Sequence, residues 1–316
     1  MKTIGLLTSG GDAPGMNACI AAIAARAERC GVELRGMIGG FQGLAQASSI
    51  PIGSELSGLA RRGGSFLGTT RNGNVEEELV KQGVATALAR CCVDGLIVLG
   101  GGRSLGAAAR LAEAGAAIVG IPCTIDNDVY GTDYCLGFDS AVSKALRAAD
   151  EIMDTAESLS ERVFLIEVLG GKTGHLAVAA AYATAADAVF VHEVKPDIEA
   201  AALKVKAKMD DGGTHGLIFL TEHLGLDEIA AEIEEKAQRR VRTTVLGHIM
   251  RGGNPTFPDR IMARAFGERA LDMLLAGDTG KMVKTDGCDI GDIPLSEIAG
   301  KTRELAMANY EAVWGK

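Results

Sequence analysis

Apolar runs of strand length recur along this chain, and glycine followed by a helix-spaced stretch comes after several of them. Residues 4–7 read as a buried strand leading, through a glycine loop, to an alanine-rich helix that ends near residue 29. Further strands are predicted at 34–38, 95–99, 116–121, 163–168, 188–191 and 216–220, and one more within 241–255. Helices are predicted at 76–90, from 104 onward, and at 140–157, 198–210, 226–238 and 258–276. In the 140–157 helix Val142, Ala145, Leu146, Ala149 and Ile152 recur at helical spacing. Strands alternating with helices imply an α/β fold with a mostly parallel sheet. The strand, glycine pair and helix near residue 98 are echoed near residue 168, which predicts two similar α/β lobes.

The predicted strand ends are rich in glycine and polar groups. Thr8-Ser9-Gly10-Gly11-Asp12-Ala13-Pro14-Gly15-Met16-Asn17 joins the first strand to its helix. Such a turn lets backbone N–H groups and a helix N-terminus approach phosphate. It is neither GxGxxG nor a Walker A sequence, so neither a dinucleotide fold nor a P-loop follows from it. Gly100-Gly101-Gly102-Arg103-Ser104 repeats the arrangement after the 95–99 strand, and Leu169-Gly170-Gly171-Lys172-Thr173-Gly174-His175 after the 163–168 strand. In the latter, Ile166 stands where a P-loop requires its first glycine. Arg61-Arg62-Gly63-Gly64-Ser65-Phe66-Leu67-Gly68-Thr69-Thr70-Arg71 mixes glycine with cations, as a site for a multiply charged ligand would.

Pro122-Cys123-Thr124-Ile125-Asp126-Asn127-Asp128 concentrates more chemistry than a turn requires. A carboxylate at a strand end can accept the proton of a sugar hydroxyl, and a nearby hydroxyl can hold a transferring group. Asp and Asn are also ordinary turn residues, so the stretch is read together with its surroundings. Thr221-Glu222-His223 ends another strand, and His248, Arg251 and a glycine pair close the 241–255 segment with cations suited to a phosphate monoester.

The 316 residues are 47% hydrophobic and 23% charged, ordinary for a globular protein and long enough for two lobes with real cores. A formal net charge of −9 argues against nucleic acid as a partner and means that an anionic ligand needs local cations. Cys19, Cys30, Cys91, Cys92, Cys123, Cys135 and Cys288 form no CxxC or zinc spacing, so reduced thiols in a cytoplasmic protein are expected. The N-terminal run ahead of the first glycine loop is too short for a signal peptide, and no apolar run is long enough for a membrane span.

With these residues in view, the chain resembles the 6-phosphofructokinase family over nearly its whole length. The similarity is carried by SGGDAPGMN at 9–17, RGGSFLGTTR at 62–71, TIDND at 124–128, GTDYCLGFD at 131–139, LTEH at 220–223 and VLGHIMRGG at 245–253. The resemblance implies two Rossmann-like lobes with the active site between them. The larger, donor-binding lobe would be 1–138 plus 252–305, and the smaller, sugar-phosphate-binding lobe 139–251 plus 306–316. It implies a homotetramer in which some sugar-phosphate ligands cross a subunit interface. By the same resemblance Asp126 is the general base, and Thr124 and Asp128 assist transfer, with Asp128 on Mg²⁺. Arg162, Leu169, Gly170, Glu222, Arg242, His248 and Arg251 are expected on fructose 6-phosphate, and Gly11, Arg71, Gly101, Gly102, Arg103 and Ser104 on the donor.

Departures from the family pattern fall on the donor half. Gly102 replaces the aspartate that usually binds Mg²⁺, and Arg103 stands where ATP-using members keep glycine. Pyrophosphate-using members carry aspartate there and a lysine at the position of Cys123, so the chain matches neither class. Gly171 replaces an arginine that contacts the transferring phosphoryl group. Ala21, Ala25, Ser54, Asp154, Asp211 and Gly213 occupy positions where bacterial members bind effectors, so insensitivity to ADP and phosphoenolpyruvate is expected.

The reading is a kinase acting on fructose 6-phosphate at the 1-hydroxyl, with ATP as the default donor. Pyrophosphate is the rival donor. A catalytically weak relative that binds sugar phosphate or an active subunit is the alternative of another class. A dehydrogenase is set aside, since no GxGxxG with a following acidic ribose ligand is present.

Overall fold

The computed structural model describes residues 1–70, 75–158 and 161–315, without the side chain of Ser54. The chain forms two compact units: Met1–Asp139 with Arg251–Arg303, and Ser140–Met250 with Glu304–Lys316.

In the first unit β1 (Thr3–Ser9) leads to α1 (Met16–Cys30), β2 (Glu33–Met37), α2 (Phe41–Gln46) and β3 (Ser49–Ile52). Then come α3 (Val75–Gln82), α4 (Val84–Arg90), β4 (Gly95–Gly100), α5 (Gly102–Glu113) and β5 (Ile118–Pro122). The helix expected at 76–90 is two helices, because Gly83 takes a φ of +86° between them. That left-handed conformation ends one helix and starts the next.

α6 (Phe138–Ser158) carries the chain into the second unit, where β6 (Arg162–Val168), α7 (His175–Ala183), β7 (Ala188–Phe190), α8 (Ile198–Asp210), β8 (His215–Thr221), α9 (Leu226–Ala237) and β9 (Arg240–Val245) alternate. The chain then returns to the first unit for α10 (Phe257–Ala276), β10 (Lys281–Asp286), β11 (Asp289–Pro294) and α11 (Leu295–Ile298), before α12 (Met307–Trp314) ends it in the second.

Among the described residues the first unit's sheet has the order β11-β10-β5-β4-β1-β2-β3, and the second unit's sheet the order β7-β8-β6-β9. All pairings in the second sheet are parallel. In the first, β2 with β3 and β10 with β11 are antiparallel and the rest parallel. The fold is α/β with mostly parallel sheets.

Every residue of β4 and β5 is buried, which explains why their sequences are continuous apolar runs rather than alternating ones. In the first unit Leu96 and Val98 of β4 pack with Leu105 and Leu111 of α5, and Ala107 and Ala108 let that helix lie close to the sheet. The second unit has its own core, in which Val163, Leu165, Ile218 and Leu220 meet Ala201, Val205, Ile229 and Ile233. Each fully buried Leu or Ile side chain contributes about 1.5–3 kcal/mol.

Candidate functional site

β1 lies between β2 and β4. The chain winds one way after β1, through α1 to β2, and the other way after β4, through α5 to β5. The carboxyl ends of β1 and β4 therefore flank the topological switch point, where parallel α/β sheets bind ligands. Both following helices begin there. Their N-caps are Gly15 and Gly101, with no side-chain cap bond and no acidic residue in the first turn. By contrast, α8 in the second unit is capped by Asp197, whose Oδ1 accepts the Ala200 N–H at 3.0 Å. Helix ends that lack a side-chain cap and an acidic first turn keep N–H groups available for an anion.

Hydrogen bonds hold these turns in place. Ser104 Oγ donates to Ser9 Oγ at 3.0 Å with both residues buried. The Cys123 N–H donates to the Gly100 carbonyl at 2.9 Å. The 62–70 loop is tied down by Asn17, whose Nδ2 donates to the Gly63 carbonyl at 3.0 Å and whose Oδ1 accepts the Phe66 N–H at 2.6 Å. Thr8 Oγ1 donates to the Gly68 carbonyl at 2.9 Å. Gly11 sits half-buried in the β1–α1 turn, and Arg71 lies outside the described residues. Arg103, in the first turn of α5, is exposed and makes no hydrogen bond or ion pair among the described residues. A Cβ at Gly102 would meet nothing within 4 Å, so packing does not demand glycine at this position.

The loop after β5 reaches the same place. A Cβ at Gly101 would lie 3.4 Å from Thr124 Cβ, which brings the glycine turn after β4 against the carboxylate loop. Thr124 Oγ1 accepts the Asp126 N–H at 3.3 Å, and Asp126 and Asp128 are both half-buried. Asn127 between them turns inward. It is 4% exposed at a φ of +52°. Cys123 is fully buried, its thiol donates to the Leu136 carbonyl at 3.6 Å, and burial pushes that thiol well above its ordinary range. It is an inward anchor of the loop.

In the second unit the residues expected on the sugar phosphate divide. Glu222 follows β8, and its Oε1 accepts N–H groups from Gly170 at 3.2 Å and Gly171 at 2.9 Å. Leu169 is beside them, its N–H on Met250 Sδ at 3.3 Å. His223 Nε2 lies 3.4 Å from Glu222 Oε2, and burial together with the Glu222 charge raises the Glu167 carboxyl above the usual range. His248 is exposed in the short turn Gly247–Arg251 that follows β9.

Arg162 is at the opposite end of β6. In register it pairs with Arg240, while Phe164 pairs with Arg242. Seven residues at about 3.3 Å each separate Arg162 from Leu169, or about 23 Å. Arg162 and Arg242 share the sheet face opposite Val163, Leu165 and Val241 of the core. Arg251 groups with the first unit, where its Nη1 donates to the Asp12 carbonyl at 3.3 Å.

A model of the family described as Phosphofructokinase matches residues 3–274. The chain belongs to the phosphofructokinase family. It is 40% identical to the ATP-dependent 6-phosphofructokinase 1 of Thermus thermophilus, over 98% of this chain and 97% of that protein. Among solved phosphofructokinases, the Pichia pastoris structure in the T-state aligns with a TM-score of 0.85 at 27% identity. That alignment covers 94% of this chain but 37% of the yeast chain, so this chain spans well under half of the yeast length. The pyrophosphate-dependent phosphofructokinase of Marinobacter aquaeolei aligns with a TM-score of 0.85 at 21% identity, over 98% of this chain and 88% of that one, and shares the fold.

The family implies Mg²⁺, and the carboxylates of the loop after β5 are the described residues that suit it. Among the described residues no three His, Cys, Asp or Glu side chains group as a metal cage. Mg²⁺ commonly takes only one or two carboxylates and completes its shell with water and substrate phosphates. Half-buried Asp126 and Asp128 suit that partial role, whereas Gly102 offers no side-chain oxygen.

The sequence assigned no separate role to Asn127, Tyr134 or Asp259, which the structure brings into hydrogen bonds around this loop. Both Asn127 and Tyr134 lie within the motifs that carry the family resemblance, which was the available signal. All seven cysteines are free thiols, and no helix among the described residues is long and apolar enough to cross a membrane.

Proposed function

We propose that the chain phosphorylates fructose 6-phosphate at its 1-hydroxyl to give fructose 1,6-bisphosphate, with ATP as the default donor. The observation that carries this reading is the approach of the Gly101 turn to Thr124, which sets a helix start without a side-chain cap beside a carboxylate loop. The 40% identity to a Thermus ATP-dependent 6-phosphofructokinase supports it.

The donor phosphates bind the N–H groups of the glycine turns at Gly11 and Gly101–Gly102, with Ser104 and Arg103 beside them; Arg71, outside the described residues, is expected on the donor by resemblance. Asp126 removes the proton from the attacking hydroxyl. Thr124 steadies the transferring group. Bound Mg²⁺, held by Asp128, would neutralise charge on the donor phosphates. On the acceptor side Leu169, Gly170, Glu222, His248 and Arg251 hold the sugar phosphate.

Arg162 and Arg242, displaced from Glu222 along the sheet, fit service to the site of a neighbouring copy. A homotetramer in the cytoplasm follows from this reading, and the free thiols agree with that compartment. Exposed Asp154 and Asp211 oppose binding of anionic effectors, so a hyperbolic rate curve unmoved by ADP or phosphoenolpyruvate is expected. The Ser54 side chain lies outside the described residues.

Pyrophosphate is favoured as a second donor by one observation. Arg103 puts an unpaired cation, among the described residues, on the first turn of α5, where a short and highly charged donor would meet it. Turnover of purified protein with fructose 6-phosphate and either donor, each with Mg²⁺, decides between them. Asp126→Asn is expected to lose roughly two to four orders of magnitude in rate. Saturable sugar-phosphate binding with no turnover on any donor would identify a catalytically weak relative instead.

A further inference from the structure

We propose that Asn127 is a positioning residue that aims Asp126 and Asp128, and that Tyr134 and Asp259 set the strand of loop against which it works. This rests on the phosphotransfer reading above. The loop after β5 does not need Asn127 to close. Its ends are already joined, with the Leu136 N–H on the Pro122 carbonyl at 3.1 Å and the Cys123 thiol on the Leu136 carbonyl at 3.6 Å.

Asn127 acts instead at the tip, between the two carboxylates. Its Nδ2 donates to the Asp133 carbonyl at 3.2 Å, and its Oδ1 accepts the Cys135 N–H at 2.8 Å. A φ of +52° is unusual for a residue with a side chain, and asparagine tolerates it better than most. With that side chain clamped inward, the backbone directions at residues 126 and 128 are set as well.

The returning limb is itself anchored. The Tyr134 hydroxyl donates to Asp259 Oδ1 at 2.8 Å, and the same oxygen accepts the Gly137 N–H at 2.7 Å. Asp259 is fully buried in the first turn of α10, where the helix dipole favours a carboxylate. On the other side the Asp128 carbonyl accepts the Arg303 N–H at 2.9 Å, and Arg303 Nη1 donates to the Asp133 carbonyl at 2.8 Å. Such support matters because a misplacement of about 1 Å in a catalytic group can cost about a hundredfold in rate.

The test is steady-state kinetics with fructose 6-phosphate and Mg²⁺–ATP or Mg²⁺–pyrophosphate, whichever the wild-type chain turns over, alongside thermal unfolding. Asn127→Gly keeps the left-handed backbone and removes both side-chain bonds. Its kcat is expected to fall about 30- to 100-fold, with both KM values within about threefold and cooperative unfolding retained. Tyr134→Phe, which removes one hydroxyl, is expected to lose about three- to tenfold in kcat with KM unchanged. A folded Asn127→Gly protein with kcat within about twofold of wild type overturns the proposal, as does activity that falls only in step with the folded fraction. Should Asn127→Gly fail to fold, Tyr134→Phe decides: reduced kcat at constant KM supports the proposal, and unchanged kcat overturns it. A wild-type chain that turns over neither donor overturns the phosphotransfer reading and this inference together.

Discussion

Ser104, in the first turn of α5, donates its hydroxyl to that of Ser9 at the end of β1, oxygen to oxygen at 3.0 Å. This contact joins the two glycine turns across the switch point, in a region where both hydroxyls are buried. A neutral hydrogen bond of this kind is worth about 1 kcal/mol. Ser104→Ala is therefore expected to raise KM for the donor about five- to tenfold while leaving KM for fructose 6-phosphate within about twofold. A change confined to the sugar phosphate would contradict the assignment of these turns to the donor.

Arg103 and Gly102 make the metal dependence testable. Unit charges about 4 Å apart interact by roughly 4 kcal/mol at an effective dielectric near 20, and a divalent ion feels about twice that. Arg103→Gly is expected to lower the Mg²⁺ concentration for half-maximal turnover and to weaken pyrophosphate binding in chelator about tenfold, read by titration calorimetry. Because a Cβ at Gly102 meets nothing within 4 Å, Gly102→Asp is expected to fold normally and to bind Mg²⁺ more tightly. Its denaturation midpoint should correspond to a change within about 0.5 kcal/mol.

Tyr134 predicts a feature at alkaline pH. Burial and the charge of Asp259 push its hydroxyl well above the usual tyrosine range. Since the folded value exceeds the unfolded one, near 10, its contribution is complete below about pH 10 and is lost as pH rises further. Phenylalanine has no proton to lose. The stability difference between wild type and Tyr134→Phe, from urea denaturation between about pH 8 and pH 11, is therefore expected to shrink at the high end. A constant difference across that range would argue against the buried hydroxyl as the cause.

Arg162 and Asp126 offer a test of assembly. Asp126→Asn and Arg162→Ala each disable a different half of the proposed chemistry. If Arg162 serves a neighbouring copy, subunits of the two variants unfolded and refolded together regain turnover that neither shows alone. No recovery in assemblies shown by mass spectrometry to be mixed would place Arg162 in its own subunit's site.

Periodicity and composition show the α/β alternation, the glycine at strand ends, and a polar stretch at 124–128 too rich for a simple turn. These features are local, set by the pattern of a strand or helix over a few residues, and so they can be read directly from the chain. The elements missed are instructive. β3 and β11 are short antiparallel additions at the sheet edges, β10 joins β5 in parallel, and most residues of β11 are only half-buried, so its apolar signal is weak. The Asp286-Gly287 pair that turns β10 into β11 was the one local clue to that hairpin.

From residue types alone the chain determines a parallel α/β protein with glycine turns suited to phosphate and a carboxylate stretch at 124–128, and the family resemblance names Asp126 as the candidate base. Tertiary structure alone decides that β1 neighbours β4, that Asn127 faces inward, that Tyr134 finds Asp259 across 125 residues, and that Arg162 is distant from Leu169 and Glu222. The reason is physical. Periodicity states which face of an element is buried, but its partner and register are settled only when hydrogen bonds between remote segments form together in the assembled sheet.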